Sequence, residues 1–528
     1  MDVDQLRKEL AGHPDPIFVK YLVEGFENGF NTAIKELPVS SLVCRNNLSA
    51  IRKPQITEEL LQKEVEKGYV IGPFQTPPFD VYRVNPISLA QKKYTEKHRL
   101  VVDLSAPHND PNHSSLNDLI AKEDFSLTYT KLDEAINLIQ ELGPKTWLCK
   151  TDLVDAFKQV PVHPKLWPFQ GIRWKGKYYF YTRLVFGCRS SPKIFDNLSR
   201  AIVWIAKNNY GIKRILHLLD DFLTLDDPTV IAFRTMAVLT MILKKLRIGY
   251  SLTKTVGPVH DLEYLGLILD TVNMQCRLPV DKLNRIIDLV ASFMGRSSCT
   301  KREMLSLCGN LSFATRVIPA GRSFMFRLFR AAYSVKCYNH CVTITSEAKA
   351  DMGMWLHFLR NWNGVSLFID VNESSADDMH LYTDASGTIG YGGFFQGAWF
   401  YGSWPQTIME NLTNTVSIAF QELYPIVVAA ILWGKSWERK RIIFFCDNLG
   451  TVYILNKGRS KSGDIMKLMR RLTLVAAKFS FTFTARHVKG KLNRIADHLS
   501  RFQLEEFHKL VPDAHPTPCP IPSDIMFG

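Results

Sequence analysis

Apolar positions in the first sixty residues recur on one helical face: Phe18, Leu22, Phe26 and Phe30 stand four apart, the spacing that brings side chains round to one side of an α-helix. That stripe reads as core packing. From about residue 61 to 280, short apolar runs of strand character alternate with helical patterns, and 281–360 is helical. Thr300 and Glu303 make a capping-box signature ahead of an apolar-periodic run there, and Arg322, Arg327 and Arg330 follow as a solvated or a phosphate-tracking face. Periodicity is lost over 361–379, where the run from Asn372 to Asp378 turns acidic; this is the expected linker.

Beyond it the pattern restarts. It predicts a strand at His380–Asp384, a glycine-rich hairpin through Gly387, Gly390, Gly392 and Gly393, and a strand at Ala398–Tyr401. A helix at Ser417–Trp437, a strand at Arg441–Asp447, helices to about Ala477 and a strand at Ser480–Ala485 complete a compact α/β unit. The expected organisation is a helical extension (1–60), a mixed region (61–280), helices (281–360), a linker (361–379), an α/β domain (380–505) and a tail (506–528).

At 528 residues the chain exceeds what one core supports, and 46% apolar with 22% charged residues is ordinary for a folded protein. No apolar run approaches the roughly 18 residues that suggest a bilayer span, so no membrane partner is expected. The start, Met1-Asp2-Val3-Asp4-Gln5, lacks the pattern of a secretory signal. Ten cysteines are scattered, and Cys337 and Cys341 have no second ligand pair nearby to close a zinc site. Free thiols fit a reducing compartment, so an intracellular protein of cytoplasm or nucleus is expected. The net charge of +14 is compatible with a polyanionic partner.

The candidate chemistry lies in acids. Asp152 ends a predicted strand, and about 65 residues later Asp220 and Asp221 close an apolar run that can pair beside it. Carboxylates so placed repel one another unless divalent cations neutralise them. Asp226-Asp227-Pro228 is a decoy of the same composition and reads as a solvated turn. A second set, Asp384, Glu422, Asp447 and Asp497, is spread over four predicted elements; spacing alone says nothing about it.

Ordered blocks around the first set resemble the reverse transcriptase family. His98 to Leu104 is similar to the fingers block whose arginine contacts the incoming triphosphate, which implies that role for Arg99, and Lys92 matches a triphosphate-binding lysine. Asp152 corresponds to the first metal ligand and Phe157 to the bulky gate that excludes a ribose 2′-hydroxyl. Leu184 to Pro192, with Phe186 and Gly187, resembles the loop that contacts template and nucleotide. Leu218-Leu219-Asp220-Asp221 matches the catalytic hairpin, with Leu218 where the family commonly has an aromatic residue. Lys254 falls where the family places a lysine near the pyrophosphate, a candidate general acid. Tyr264-Leu265-Gly266 resembles the primer-gripping turn. Thr76-Pro77-Pro78-Phe79 resembles a DNA methyltransferase tetrapeptide, but no glycine-rich cofactor loop lies near it, so it reads as a rigid turn.

The second set resembles ribonuclease H blocks in order: Tyr382-Thr383-Asp384, Gln421-Glu422-Leu423, Cys446-Asp447-Asn448 and Ala496-Asp497-His498, with His487 as the histidine that assists turnover. The two resemblances cover roughly residues 60–505. They imply a right-hand polymerase of fingers, palm and thumb followed by a ribonuclease H-like α/β domain, an α/β and α+β multidomain fold. The implied cofactor is Mg2+, two ions per site, with Mn2+ as a possible substitute. The implied partners are an RNA template, a DNA primer, the RNA:DNA hybrid and deoxynucleoside triphosphates. Gly490 to Arg501, with Leu218 to Asp221, looks most like DIRS-type retrotransposons, with gypsy-type elements and pararetroviruses as neighbours. Such an element implies a separate recombinase or integrase and a nucleic-acid-packaging protein. The competing expectation is a host-adopted, noncatalytic nucleic-acid-binding protein, which would keep a basic groove and lose acids. A DNA-templated polymerase is disfavoured, because ribonuclease H chemistry serves chiefly an RNA template.

Overall fold

The computed structural model describes residues 1–91, 98–108, 110–229, 234–362, 364–368, 373–375, 379, 381–409, 417–490, 493–523 and 525. It shows the expected mixed α/β, multidomain class. The chain divides into two compact units, Met1–Tyr264 and Leu265–Gly528.

In the first unit, a four-stranded sheet runs in the order Val256–Val259, Trp147–Asp152, Asp221–Asp226, Ile215–Leu218. A five-stranded sheet of short strands includes Gly171–Trp174 and Lys177–Tyr181, and a two-stranded ribbon pairs Ile87–Gln91 with His98–Val102. The helix Ser191–Asn208 buries Ile194, Phe195, Leu198, Ala201, Ile202 and Ile205, an i, i+3, i+4 pattern with Pro192 in its first turn.

The amino-terminal helices are not a separate extension. Leu22, Phe26 and Phe30 of the predicted stripe share one core with residues as distant as Leu243 and Ile248, and Phe18 packs against it. Phe30 closes edge-on against Phe26 at 5.0 Å between ring centroids. The Glu9 carboxylate accepts hydrogen bonds from the Tyr210 hydroxyl (2.6 Å), the Asn209 amide (2.9 Å) and the Gln5 amide (2.9 Å). Burial raises its pKa, but these three donors outweigh burial and hold it below the usual glutamate value.

In the second unit, the stretch expected as a linker contributes strands. Val365–Leu367 pairs antiparallel with Gln275–Arg277, and Glu373–Ser375 pairs parallel with the strand Arg441–Cys446. The Leu267–Asp270 strand pairs in turn with Gln275–Arg277. These residues therefore belong to the second unit's sheets, and the break between units falls at Tyr264 rather than at the expected 280. Backbone pairing held together what side-chain periodicity did not mark. The Thr300–Glu303 capping box forms, with Thr300 N donating to Glu303 Oε2 at 2.8 Å.

The α/β part follows the predicted order. Leu381–Ala385, Gly390–Phe395 and Ala398–Ser403 form an antiparallel meander, and Arg441–Cys446 pairs parallel with Thr482–His487. Between them lies the helix Ile418–Trp433, continued by a 3-10 turn to Trp437. By length and composition this segment would suffice to cross a membrane, against the expectation that no apolar run approaches such a span. Most of it is buried in this unit's own core.

Of the three arginines in question, Arg322 and Arg330 are exposed, while Arg327 is drawn inward. Asp351, 1% exposed, pairs with Arg470 at 2.9 Å and Arg327 at 3.4 Å. Removing the carboxylate would leave two mostly buried guanidiniums facing each other, so Asp351→Ala is expected to cost about 3–5 kcal/mol. Urea unfolding of the intact chain checks this; a loss under about 1 kcal/mol, the range of an exposed pair, would mean the triad is effectively solvated.

Candidate active sites

The first acidic cluster is built by sheet register. Asp152, the last residue of its strand, stands opposite Asp221, the first of the next, and Asp221 also pairs with Leu218 across the hairpin. Asp220 sits in the two-residue turn between, and its carbonyl accepts from Leu153 N at 3.0 Å. That turn puts Leu219 at φ 55°, a left-handed conformation in which a branched side chain costs about 1–3 kcal/mol. Its surroundings hold it there. The Ser199 hydroxyl donates to the Leu219 carbonyl at 2.8 Å, and the leucine packs against the core.

Three carboxylates thus meet at one sheet end. Burial, the larger cause, and the neighbouring acids raise the pKa of Asp220, and burial with Asp152 raises that of Asp221 against the opposing Lys150. Two lysines offset part of the repulsion. Lys254 Nζ donates to Asp152 Oδ1 at 2.7 Å, and Lys150 lies 3.3 Å from Asp221. Lys254 is therefore seated on an acid of the cluster. Sequence reasoning passed over Lys150; its signal was its place two residues before Asp152, on the same face of one strand.

Three aromatic rings and an arginine pack together. Phe157, 8% exposed, lies against Phe186 at 4.8 Å and Phe195 at 5.6 Å between ring centroids. The Arg99 guanidinium lies 5.1 Å from the centre of the Phe186 ring, within cation–π range. The loop is fastened to the ribbon by Val102 N donating to the Phe186 carbonyl at 3.1 Å. Asn117 adds a clamp, donating to the Gly187 carbonyl at 2.8 Å and accepting from Arg189 N at 2.8 Å. Lys92 lies outside the described residues. Thr76 to Phe79 follow a strand end, with Phe79 edge-on to Phe180 at 4.9 Å.

The second cluster is also convergent. Asp384 lies near the end of the first strand of the meander, Glu422 on the first turn and a half of the core helix, Asp447 just past the end of its strand and Asp497 in the helix Arg494–Ser500. Burial, and then Asp384 and Asp447, push the Glu422 carboxyl up to about 9. Burial chiefly, with Asp497 and Asp447, lifts Asp384 to about 6, although the Ser500 hydroxyl donates to it at 2.6 Å. Asn493 donates to the Thr383 carbonyl at 2.8 Å, and Arg501 Nε donates to Asp497 at 2.8 Å. His487 stands level with Cys446 in the parallel ladder, its Nε2 3.1 Å from the Asp447 carbonyl. Cys446 lies inside this cluster and was passed over in the sequence as one of ten scattered thiols. Burial, then Glu422, pushes its thiol up to about 12.

Residues 79–269 match the family described as reverse transcriptase (RNA-dependent DNA polymerase). A Gag-Pro-Pol polyprotein of human T-cell leukemia virus 2 is 22% identical over 329 residues, 60% of this chain and 20% of that protein; the chain thus spans about a fifth of the curated relative it matches. Among solved structures, foamy viral protease-reverse transcriptase in complex with double-stranded DNA is 16% identical with a TM-score of 0.48, covering 92% of this chain and 82% of that one. The same protein in complex with an RNA/DNA hybrid is 15% identical with a TM-score of 0.47, covering 99% and 65%. Residues 79–269 are thus similar to reverse transcriptases, and the chain is similar to part of a retroviral polyprotein.

Gly187 offers a direct test of how the aromatic stack is held. Its φ is 116°, and a Cβ there would lie 2.0 Å from the Val102 carbonyl oxygen. Gly187→Ala is expected to cost about 2–3 kcal/mol through backbone strain and the displaced ribbon. Thermal unfolding checks it, and an unchanged midpoint would show that loop and ribbon separate freely.

Proposed function

We propose that this chain is an RNA-directed DNA polymerase that copies a retroelement RNA into DNA and degrades the RNA strand of the resulting hybrid. The observation that carries the reading is the register of Asp152 against Asp221, with Asp220 beside them, inside the segment that matches the reverse transcriptase family. The nuclease half rests on the convergence of Asp384, Glu422, Asp447 and Asp497, with His487 at the rim.

Both clusters fit Mg2+ by their chemistry: all seven acids offer hard oxygen ligands, and four of them have raised pKa values because they are buried near other acids. Asp152, Asp220 and Asp221 would hold it at one site and Asp384, Glu422, Asp447 and Asp497 at the other. Bound there, the cation supplies activation of the attacking oxygen and neutralisation of charge on the leaving group. The protein's own contribution is positioning. Phe157, fixed between two other rings, forms a wall against a 2′-hydroxyl. Arg99 and Lys92 offer positive charge to a triphosphate, and Lys254 holds a proton on Nζ beside Asp152, where a leaving pyrophosphate could take it.

In the second domain, selection of a hybrid would come from 2′-hydroxyl contacts and duplex shape. The sequence from Gly490 to Arg501 supports a DIRS-type element as source. With that source the reading includes a separate recombinase, a packaging protein and an intracellular site of action.

Three outcomes follow. Asp220→Asn or Asp221→Asn should abolish primer extension on an RNA template, and undiminished extension would remove the polymerase assignment. Asp447→Asn should abolish RNA degradation in hybrids while sparing extension; equal loss of both would contradict two separate sites. Phe157→Val should raise incorporation of ribonucleotides relative to deoxynucleotides, read in competition assays, and an unchanged ratio would release Phe157 from the gate role.

A further inference from the structure

The second cluster contains a ligand that Mg2+ chemistry does not use. Oxygens of Glu422 and Asp447 and the sulfur of Cys446 all lie within 4.8 Å of one another. Cys446 is 3% exposed and Glu422 8%. The Glu422 carboxyl has no hydrogen bond or ion pair among the described residues, an expensive condition for a buried polar group. Its charged neighbours Asp384 and Asp447 are both acids. Asn448 N donates to the sulfur at 3.4 Å, and the Thr451 hydroxyl is a further hydrogen-bond partner.

Hard cations take oxygen ligands and gain nothing from sulfur, whereas zinc-class cations bind thiolate and carboxylate together. We propose that Glu422, Cys446 and Asp447 form a mixed sulfur–oxygen site that binds a thiophilic divalent cation, of the Zn2+ or Cd2+ kind, in competition with Mg2+. Binding forms a metal–sulfur bond and metal–oxygen bonds, and releases to solvent the S–H proton together with any proton that the Glu422 carboxyl carries. There is no change of oxidation state. A cation held in this way occupies two of the four acids, so trace thiophilic metal would act as a switch on the second site.

The test is a Cd2+ titration of the full chain carrying Cys337→Ser and Cys341→Ser, which removes the two exposed thiols. Sulfur-to-cadmium charge-transfer absorbance is the readout. The expected result is one equivalent bound with this band, lost in Cys446→Ala. Glu422→Gln should weaken apparent affinity by at least roughly tenfold, the smaller end of what losing a supporting contact costs a metal site. Excess Mg2+ should also weaken it. Cys446→Ser, closer in shape, distinguishes loss of sulfur from loss of folding, since it too should lack the band while unfolding at the parent's temperature. A band that persists without Cys446, or that ignores Glu422→Gln or Mg2+, overturns the proposal. The readout involves no catalysis, so it stands or falls separately from the nuclease reading.

Discussion

Like charges brought together at strand ends are the constraint on which the rest of this structure depends. In the first unit the sheet register places Asp152 opposite Asp221 and the hairpin turn adds Asp220; in the second, a strand, a helix, a strand end and a later helix converge four more acids. Folding alone gains nothing from such an arrangement. Burial raises the cost of each charge, and each neighbour raises it further. The chain meets this locally, with Lys254 and Lys150 against the first set and Ser500 and Arg501 against the second. Glu422 receives no such partner among the described residues, and its carboxyl is the most strongly shifted of the seven.

The supporting structure explains how such sites are held in place. Leu219 adopts a left-handed backbone because Ser199 and the surrounding core fix it. The loop at Gly187 approaches the Val102 carbonyl so closely that only glycine fits, and that approach carries Phe186 into contact with both Arg99 and Phe157. The amino-terminal helices reach the same framework from behind. Glu9 ties them to Asn209 and Tyr210, just past the helix that presents Ser199.

Much of this was legible in the sequence, for identifiable reasons. Elements whose apolar period survives along the chain, such as the strands around Asp152 and Asp447, fell where periodicity put them, whereas the stripe through Phe26 lost its last member: the helix stops at Asn28 and Phe30 bridges to Val162 instead. Acids embedded in ordered blocks could be named because their neighbours, not their spacing, marked them. What escaped depends on partners distant in sequence. Val365–Leu367 and Glu373–Ser375 are strands because Gln275–Arg277 and Arg441–Cys446 offer them open edges, and no local pattern announces that. Residues 1–60 read as an extension because their partners are distant in sequence, from Tyr82 opposite Leu42 to Leu246 opposite Asp2. Cys446 looked like any other buried thiol until the fold set it beside Glu422.

The central claim, that these acids are gathered for divalent cations, is tested most directly by thermal unfolding of the intact chain in EDTA and in Mg2+ at matched ionic strength. A ligand that binds only the folded chain stabilises it by about 2.7 kcal/mol at a hundred times its dissociation constant, so the unfolding midpoint should climb as Mg2+ is added and level off at saturation. An unfolding midpoint that is the same in EDTA and at every Mg2+ concentration would contradict the account.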